Sequence, residues 1–214
     1  VFRVGTNHTF AGNDDLLTRQ LDVVKLPTQK AFHLYYGSPS PAQFTFNTRF
    51  DVLQEGESNW AKMAALNTTT YFTDSIRLNL NFTYIDSDDW LIGNGEGQVN
   101  RYRRDFSKVY AKLIARLSDS SDVTTTTQWY GLKAKGIESS NTMYLQGEDF
   151  NVSRFAFQTR YRKTFTNGAS LYLVYSHNGF YNELEPEDRF FDMAKGAITN
   201  PEQKSLTAKL NWVF

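Results

Sequence analysis

The sequence predicts an all-β protein, an antiparallel up-and-down transmembrane β-barrel with about ten strands in this segment. Three observations predict it. Nearly every periodic stretch alternates apolar and polar residues with period two, as in a strand whose side chains point to opposite faces in turn. The joints between those stretches alternate between tight turns and longer loops, as they do at the two rims of an outer-membrane barrel. The last stretch is an alternating strand that ends on an aromatic residue.

The strands are placed in order near 1–10, 22–36, 42–54, 59–72, 75–86, 106–118, 122–135, 150–165, 168–179 and 204–214. In the third, Phe44, Phe46, Phe50 and Val52 alternate with Gln43, Thr45, Asn47, Arg49 and Asp51. The fifth is the clearest. There Ile76, Leu78, Leu80, Phe82 and Tyr84 face one way, and Arg77, Asn79, Asn81 and Thr83 the other. In the sixth, Val109, Ala111, Leu113, Ala115 and Leu117 oppose Tyr110, Lys112, Ile114 and Arg116. In the eighth, Phe155, Phe157 and Tyr161 oppose Arg154, Gln158, Arg160 and Arg162. The fourth and seventh alternate poorly. Ser38-Pro-Ser-Pro41, Thr73-Asp74, Asp119-Ser-Ser-Asp122 and Thr166-Asn-Gly168 carry turn chemistry and read as the tight joints. The longer joints fall near 11–21, 55–58, 87–105, 136–149 and 180–203, with 55–58 short for its rim. No stretch reads as a helix.

In the final strand Leu206, Ala208, Leu210, Trp212 and Phe214 share a face, opposite Thr207, Lys209 and Asn211. It resembles the terminal strand of bacterial outer-membrane proteins. That resemblance implies that Leu210, Trp212 and Phe214 form the signal read by the barrel assembly machinery, although the glycine common in such signals is absent. Four segments carry a narrower likeness: Arg103-Arg-Asp-Phe-Ser107, Ser153-Arg-Phe-Ala-Phe-Gln-Thr-Arg-Tyr161, Gly168-Ala-Ser-Leu-Tyr-Leu-Val-Tyr175 and Leu206-Thr-Ala-Lys-Leu-Asn-Trp-Val-Phe214. They resemble the C-terminal barrel of a family of bacterial outer-membrane proteins of unknown function. Its members commonly carry an N-terminal periplasmic domain like a carbohydrate-binding module. The likeness covers about the last half of the chain and supplies no catalytic residues. Residues 1–214 are thus expected to form one outer-membrane barrel domain, either a barrel in itself or the C-terminal part of a larger one, and Val1-Phe-Arg-Val-Gly5, which already reads as strand, favours a fragment.

Composition excludes several classes. No run of about 18 apolar residues exists, so membrane helices are excluded, whereas a barrel whose strands alternate keeps a polar average like the mean hydropathy of −0.51 found here. Twenty-three basic and 23 acidic residues give no net charge and no pull toward nucleic acid. Cysteine is absent, which removes thiolate metal sites, Cys nucleophiles and disulfides. The 17 Phe, 12 Tyr and 4 Trp suit strands in general and aromatic girdles in particular, with Trp60, Trp90, Trp129 and Trp212 expected at belt positions.

The polar faces gather base: Arg49, Arg77, Lys112, Arg116, Arg154, Arg160, Arg162 and Lys209 are expected to line the lumen. The long loops gather acid, among them Glu55, Glu57, Asp88, Asp89 and Asp149. Such a wall favours anionic or hydroxyl-rich solutes, as rings of charge do in channels. The alternative is that acidic loops fold inward, pair with the cations and fill the lumen. His8, His33 and His177 are far apart and form no zinc pattern, so no metal or cofactor is expected. Ser176 and His177 with a loop Asp permit a rim hydrolase only in the sense that most sequences do. Asp86-Ser-Asp-Asp89 lacks the further ligands of a calcium loop and reads as a solvated strand end, and Gly93-Asn-Gly-Glu-Gly97 as a flexible loop. The Asn67, Asn81 and Asn151 sequons fall inside strands.

The expected location is the bacterial outer membrane, with lipid and the assembly machinery as partners. The leading function is a conduit for a solute or polymer, with a carbohydrate link through a missing or partner domain. A plugged scaffold that docks a lipoprotein, or a periplasmic or secreted partner, is the second reading. A rim enzyme is the third. A soluble β-sandwich or lectin-like module is the competing fold.

Overall fold

The structure is a computed structural model that describes residues 1–214 except 15, 18–23, 40–42, 95, 139–143, 184–188 and 213–214. Period-two residues become long strands: β1 (Phe2–Thr9), β4 (Gln29–Gly37), β5 (Phe44–Glu55), β6 (Asn59–Thr73), β7 (Ile76–Gly93), β8 (Val99–Ser118), β9 (Ser121–Gly136), β11 (Phe150–Thr164), β12 (Ser170–Glu183) and β13 (Pro201–Asn211). They follow one another across a single antiparallel sheet in that order, the up-and-down arrangement the sequence predicts. The described residues of β1 pair only with β4, and those of β13 only with β12, so both edges of the sheet are open.

Register fixes two faces, because residues directly opposite in an antiparallel pair point the same way. One row runs Phe50, Ala64, Tyr84, Ser107, and two others run Leu66, Phe82, Val109, Trp129, Phe155 and Leu78, Leu113, Thr125, Thr159, Tyr175, Leu206. This face is apolar and largely uncovered. Phe2, Phe32, Phe50, Leu80, Phe82, Leu206 and Leu210 are all exposed, and the completely buried apolar side chains lie elsewhere. On β7 the apolar run spans eight steps from Ile76 to Tyr84, about 27 Å at roughly 3.4 Å per residue. Asp86 lies beyond its upper end. Tilted as strands of membrane barrels are, a run of that length rises roughly 20 Å, most of the height of an apolar band of about 25 Å. Among the described residues no helix is long and apolar enough to cross a membrane, which says nothing of a β-barrel.

Several expectations are corrected. The stretch 22–36 is two strands, because β3 (Val24–Leu26) leaves the main sheet to pair with β2 (Gly12–Asp14). The expected loop 87–105 is mostly strand, for β7 and β8 pair out to Gly93 and Val99 beyond a bulge between Ser87 and Trp90. The joint at 55–58 is a tight turn, with Gly56 at φ 55° and Ser58 at φ 89°. Within 136–149, β10 (Tyr144–Gln146) pairs in parallel with β8. Within 180–203 lies a helix, α1 (Phe190–Thr199), where none was expected. The tight joint at 38–41 lies partly outside the described residues.

A small apolar cluster sits at the long-loop end. Val24, Val99 and Tyr144 are buried there, with Leu17, Leu26 and Leu91 against them. The segment β2–β3, β10 and the extended β7–β8 hairpin thereby form one assembly above the apolar band.

Candidate functional site

The polar face is built from the alternate residues of the same strands, and it is layered. Farthest from the long loops, Arg116, Asp122, Arg162, Tyr172 and Lys209 form one row. Next come Arg77, Ile114, Thr124, Arg160 and Val174, then Asn79, Lys112, Thr126, Gln158 and Ser176. Above them an amide row crosses the sheet through Asn47, Asn67, Asn81, Tyr110, Gln128, Ala156, Asn178 and Gln203. Asn67 donates from Nδ2 to Asn47 Oδ1 at 2.9 Å. The next row carries Arg49, Thr83, Lys108, Tyr130, Arg154 and Phe180.

All eight basic residues expected on this face are therefore there by register. Four of them, Lys112, Arg116, Arg160 and Arg162, line one open depression of about 440 Å³ together with Asp122, Thr124, Thr126 and Gln158. Asp122 is the one carboxylate in that lining. Arg162 Nε donates to its Oδ2 at 2.6 Å, and Arg160 lies 3.9 Å from its Oδ1. The side chains of Arg160 and Arg162 remain about half exposed, at 45% and 49%. Lys112 and Arg116 show no ion pair among the described residues. Four cations against one carboxylate make the depression attractive to anions, and its hydroxyl and amide groups can bind neutral oxygens beside them.

The remaining four basic residues stand apart. Arg49 pairs with buried Asp51 at 2.7 Å, and Asp51 also accepts from His33 Nδ1 at 2.9 Å. Arg154 stacks over Phe180 and lines a separate depression with Tyr130 and Asn178. Arg77 shares a row with Arg160, and Lys209 shares one with Arg162, in both cases two or more strands away.

At the long-loop end the acid and base meet each other. Asp89 is fully buried and accepts from Arg101 Nε at 2.6 Å, from the Glu57 backbone at 2.6 Å and from Asn59 Nδ2 at 3.0 Å. Arg101 also reaches Glu57 at 3.1 Å. Arg104 binds Glu55 at 3.0 Å, Ser87 donates to the same carboxylate at 2.7 Å, and the guanidinium lies over Trp90. Gly56 is required here: a Cβ would collide with Asp89, and its φ is positive. Asp86–Asp89 is accordingly no solvated strand end, since Asp89 is an anchor of the turn. No cluster of three metal-ligating side chains occurs among the described residues. Sequence reasoning missed Arg101 and Arg104, whose partners lie on other strands.

Two further expectations change. Ser176 and His177 are adjacent in one strand and point to opposite faces, His177 toward the apolar side beside Phe155, so they cannot act together. Trp60, Trp129 and Trp212 do lie on the apolar face, but Trp90 pairs with Tyr102 on the other. Leu210 and Trp212 of the terminal strand are exposed on the apolar face, while Phe214 lies outside the described residues.

No family model matches the chain, and no curated protein does. Among solved structures, the chain is similar to the β domain of the Bordetella autotransporter BrkA, with a TM-score of 0.34 and 12% identity over 86% of this chain and 79% of that one.

Proposed function

We propose that this chain is part of the wall of a bacterial outer-membrane β-barrel, whose polar face lines a water-filled conduit for anionic, hydroxyl-rich solutes. The observation that carries this is the uncovered apolar face. A soluble sheet buries such a face against a second layer, and an exposed apolar surface of this extent in water drives association. In lipid the same surface is satisfied, provided that every backbone group is paired. The open edges of β1 and β13 then need each other or further strands to close the wall.

The conduit reading rests on how the charge is distributed. The loop carboxylates Glu55, Glu57 and Asp89 are engaged by Arg101 and Arg104, above the depression, and are not folded onto Lys112, Arg116 and Arg160. The amide row suits hydroxyl groups and the cation rows suit acid groups, which together favour an acidic, carbohydrate-like cargo.

The test is planar-bilayer conductance of the full gene product, with Arg160→Gln/Arg162→Gln beside it. The expected result is steady conductance that leans toward anions and loses that preference in the variant, most clearly at low salt. A folded, heat-modifiable barrel that stays silent overturns the conduit and favours a plugged scaffold that docks a lipoprotein or periplasmic partner.

A further inference from the structure

The helix α1 lies on the wrong side of the sheet for a plug. Its Phe190 ring meets Trp129 edge-on at 6.0 Å and sits under the Lys133 ammonium at 4.8 Å, and both of these residues belong to the apolar face. Gly131 and Gly179 make the docking possible. A Cβ at Gly131 would crowd Phe190, and one at Gly179 would collide with the Ala197 carbonyl. Met193 and Ala197 are completely buried against this shelf.

The height of the helix is also fixed. On β8, β9 and β11 the last apolar row is Val109, Trp129 and Phe155, and Lys133 opposes Asp105 four residues beyond Trp129. The helix therefore crosses the strands where the apolar face turns charged. Its own pattern fits that boundary. Phe191 and Ile198 are seven residues, about two turns, apart. They form a line along one flank and are 77% and 44% exposed, while Asp192 and Lys195 point away from the sheet.

We infer that α1 is an in-plane interfacial helix, docked on the outside of the barrel and inserting Phe191 and Ile198 among the acyl chains of the surrounding lipid. This rests on the barrel reading, because it requires the apolar face to meet lipid. The occupant is lipid because Phe191 and Ile198 are exposed on a helix docked where the apolar face turns charged, the level at which amphipathic helices settle in a membrane.

Residues 1–214 contain no cysteine, so single cysteines can be placed there once any thiol elsewhere in the gene product has been replaced. Phe191→Cys, Ile198→Cys, Leu80→Cys and Asp192→Cys are each labelled with an environment-sensitive fluorophore in the full gene product, folded in phospholipid vesicles that contain a lipid-borne quencher. Quenching at 191 and 198 that approaches that at 80, and exceeds that at 192 several-fold, is expected. Strong quenching at 80 with 191 and 198 no different from 192 overturns the helix proposal and leaves the barrel standing. Absence of quenching at 80 as well overturns the membrane reading, and the helix proposal with it.

Discussion

The two ends of the sheet use the same residue types to opposite effect. Near the long loops Asp89 is fully buried and Arg101 is nearly so, with three donors on one carboxylate and a glycine turn closed over it. Near the tight turns Arg160 and Arg162 share Asp122 with their side chains half in solvent, and Lys112 and Arg116 have no acid partner among the described residues. A closed network holds a fold in place, whereas a cationic surplus keeps attraction in reserve for something that comes and goes. The number of arginines does not distinguish the two ends. What distinguishes them is how many carboxylates the topology delivers to each.

The comparison is broken most severely at Asp89. Asp89→Ala leaves the Arg101 guanidinium buried without its main partner, at a cost of about 3–5 kcal/mol. Urea unfolding of the protein in vesicles should show a loss on that scale, together with early proteolysis of the turn at Gly56–Ser58. An unchanged midpoint would mean that the network is as dispensable as a surface pair.

Asp122→Asn makes the converse change and sharpens the contrast. A pair whose arginines are half in solvent contributes about 1 kcal/mol or less, so stability should move far less than at Asp89. The depression, however, loses its one negative charge, and its anion preference should rise at low ionic strength and converge with the parent at high salt. A large drop in stability would show that Asp122 is instead as structural as Asp89.

How legible this was in the sequence depends on the range of the interactions concerned. Period two, with turn chemistry around the poorly alternating fourth and seventh strands, placed the ten main strands, and it assigned Arg49, Lys112 and Arg160 to the polar face, because a side chain's face is decided by its own strand. The partition of ion pairs was not legible. Arg101 meets Glu57 and Asp89 only once β5, β6, β7 and β8 are in register, and nothing local to Arg101 distinguishes it from Arg116. The helix was hidden for a related reason. Phe190, Met193, Ala194 and Ala197 have helical spacing, but ten residues containing Gly196 are too short to be helical alone. Docking on Trp129 and the glycine shelf stabilises it, and that shelf is built from β9, β11 and β12.

The smallest expected effect concerns the loop assembly above the network. Burial, with the negative charges of Glu57 and Asp89 nearby, raises the pKa of the Tyr144 phenol above its usual value. Unfolded chains lose that proton near pH ~10, while the folded protein holds it longer. The resulting stabilisation is complete below that pH and is lost as pH climbs through the raised value, since the folded state binds the extra proton. Thermal unfolding of the β2–β3 and β10 assembly should therefore weaken on the alkaline side of pH ~10 and stay flat below it. Tyr144→Phe removes the ionisation while keeping the ring against Val24 and Val99, so its alkaline slope should be shallower than the parent's. Equal slopes would place the alkaline sensitivity in another group and leave Tyr144 as packing alone.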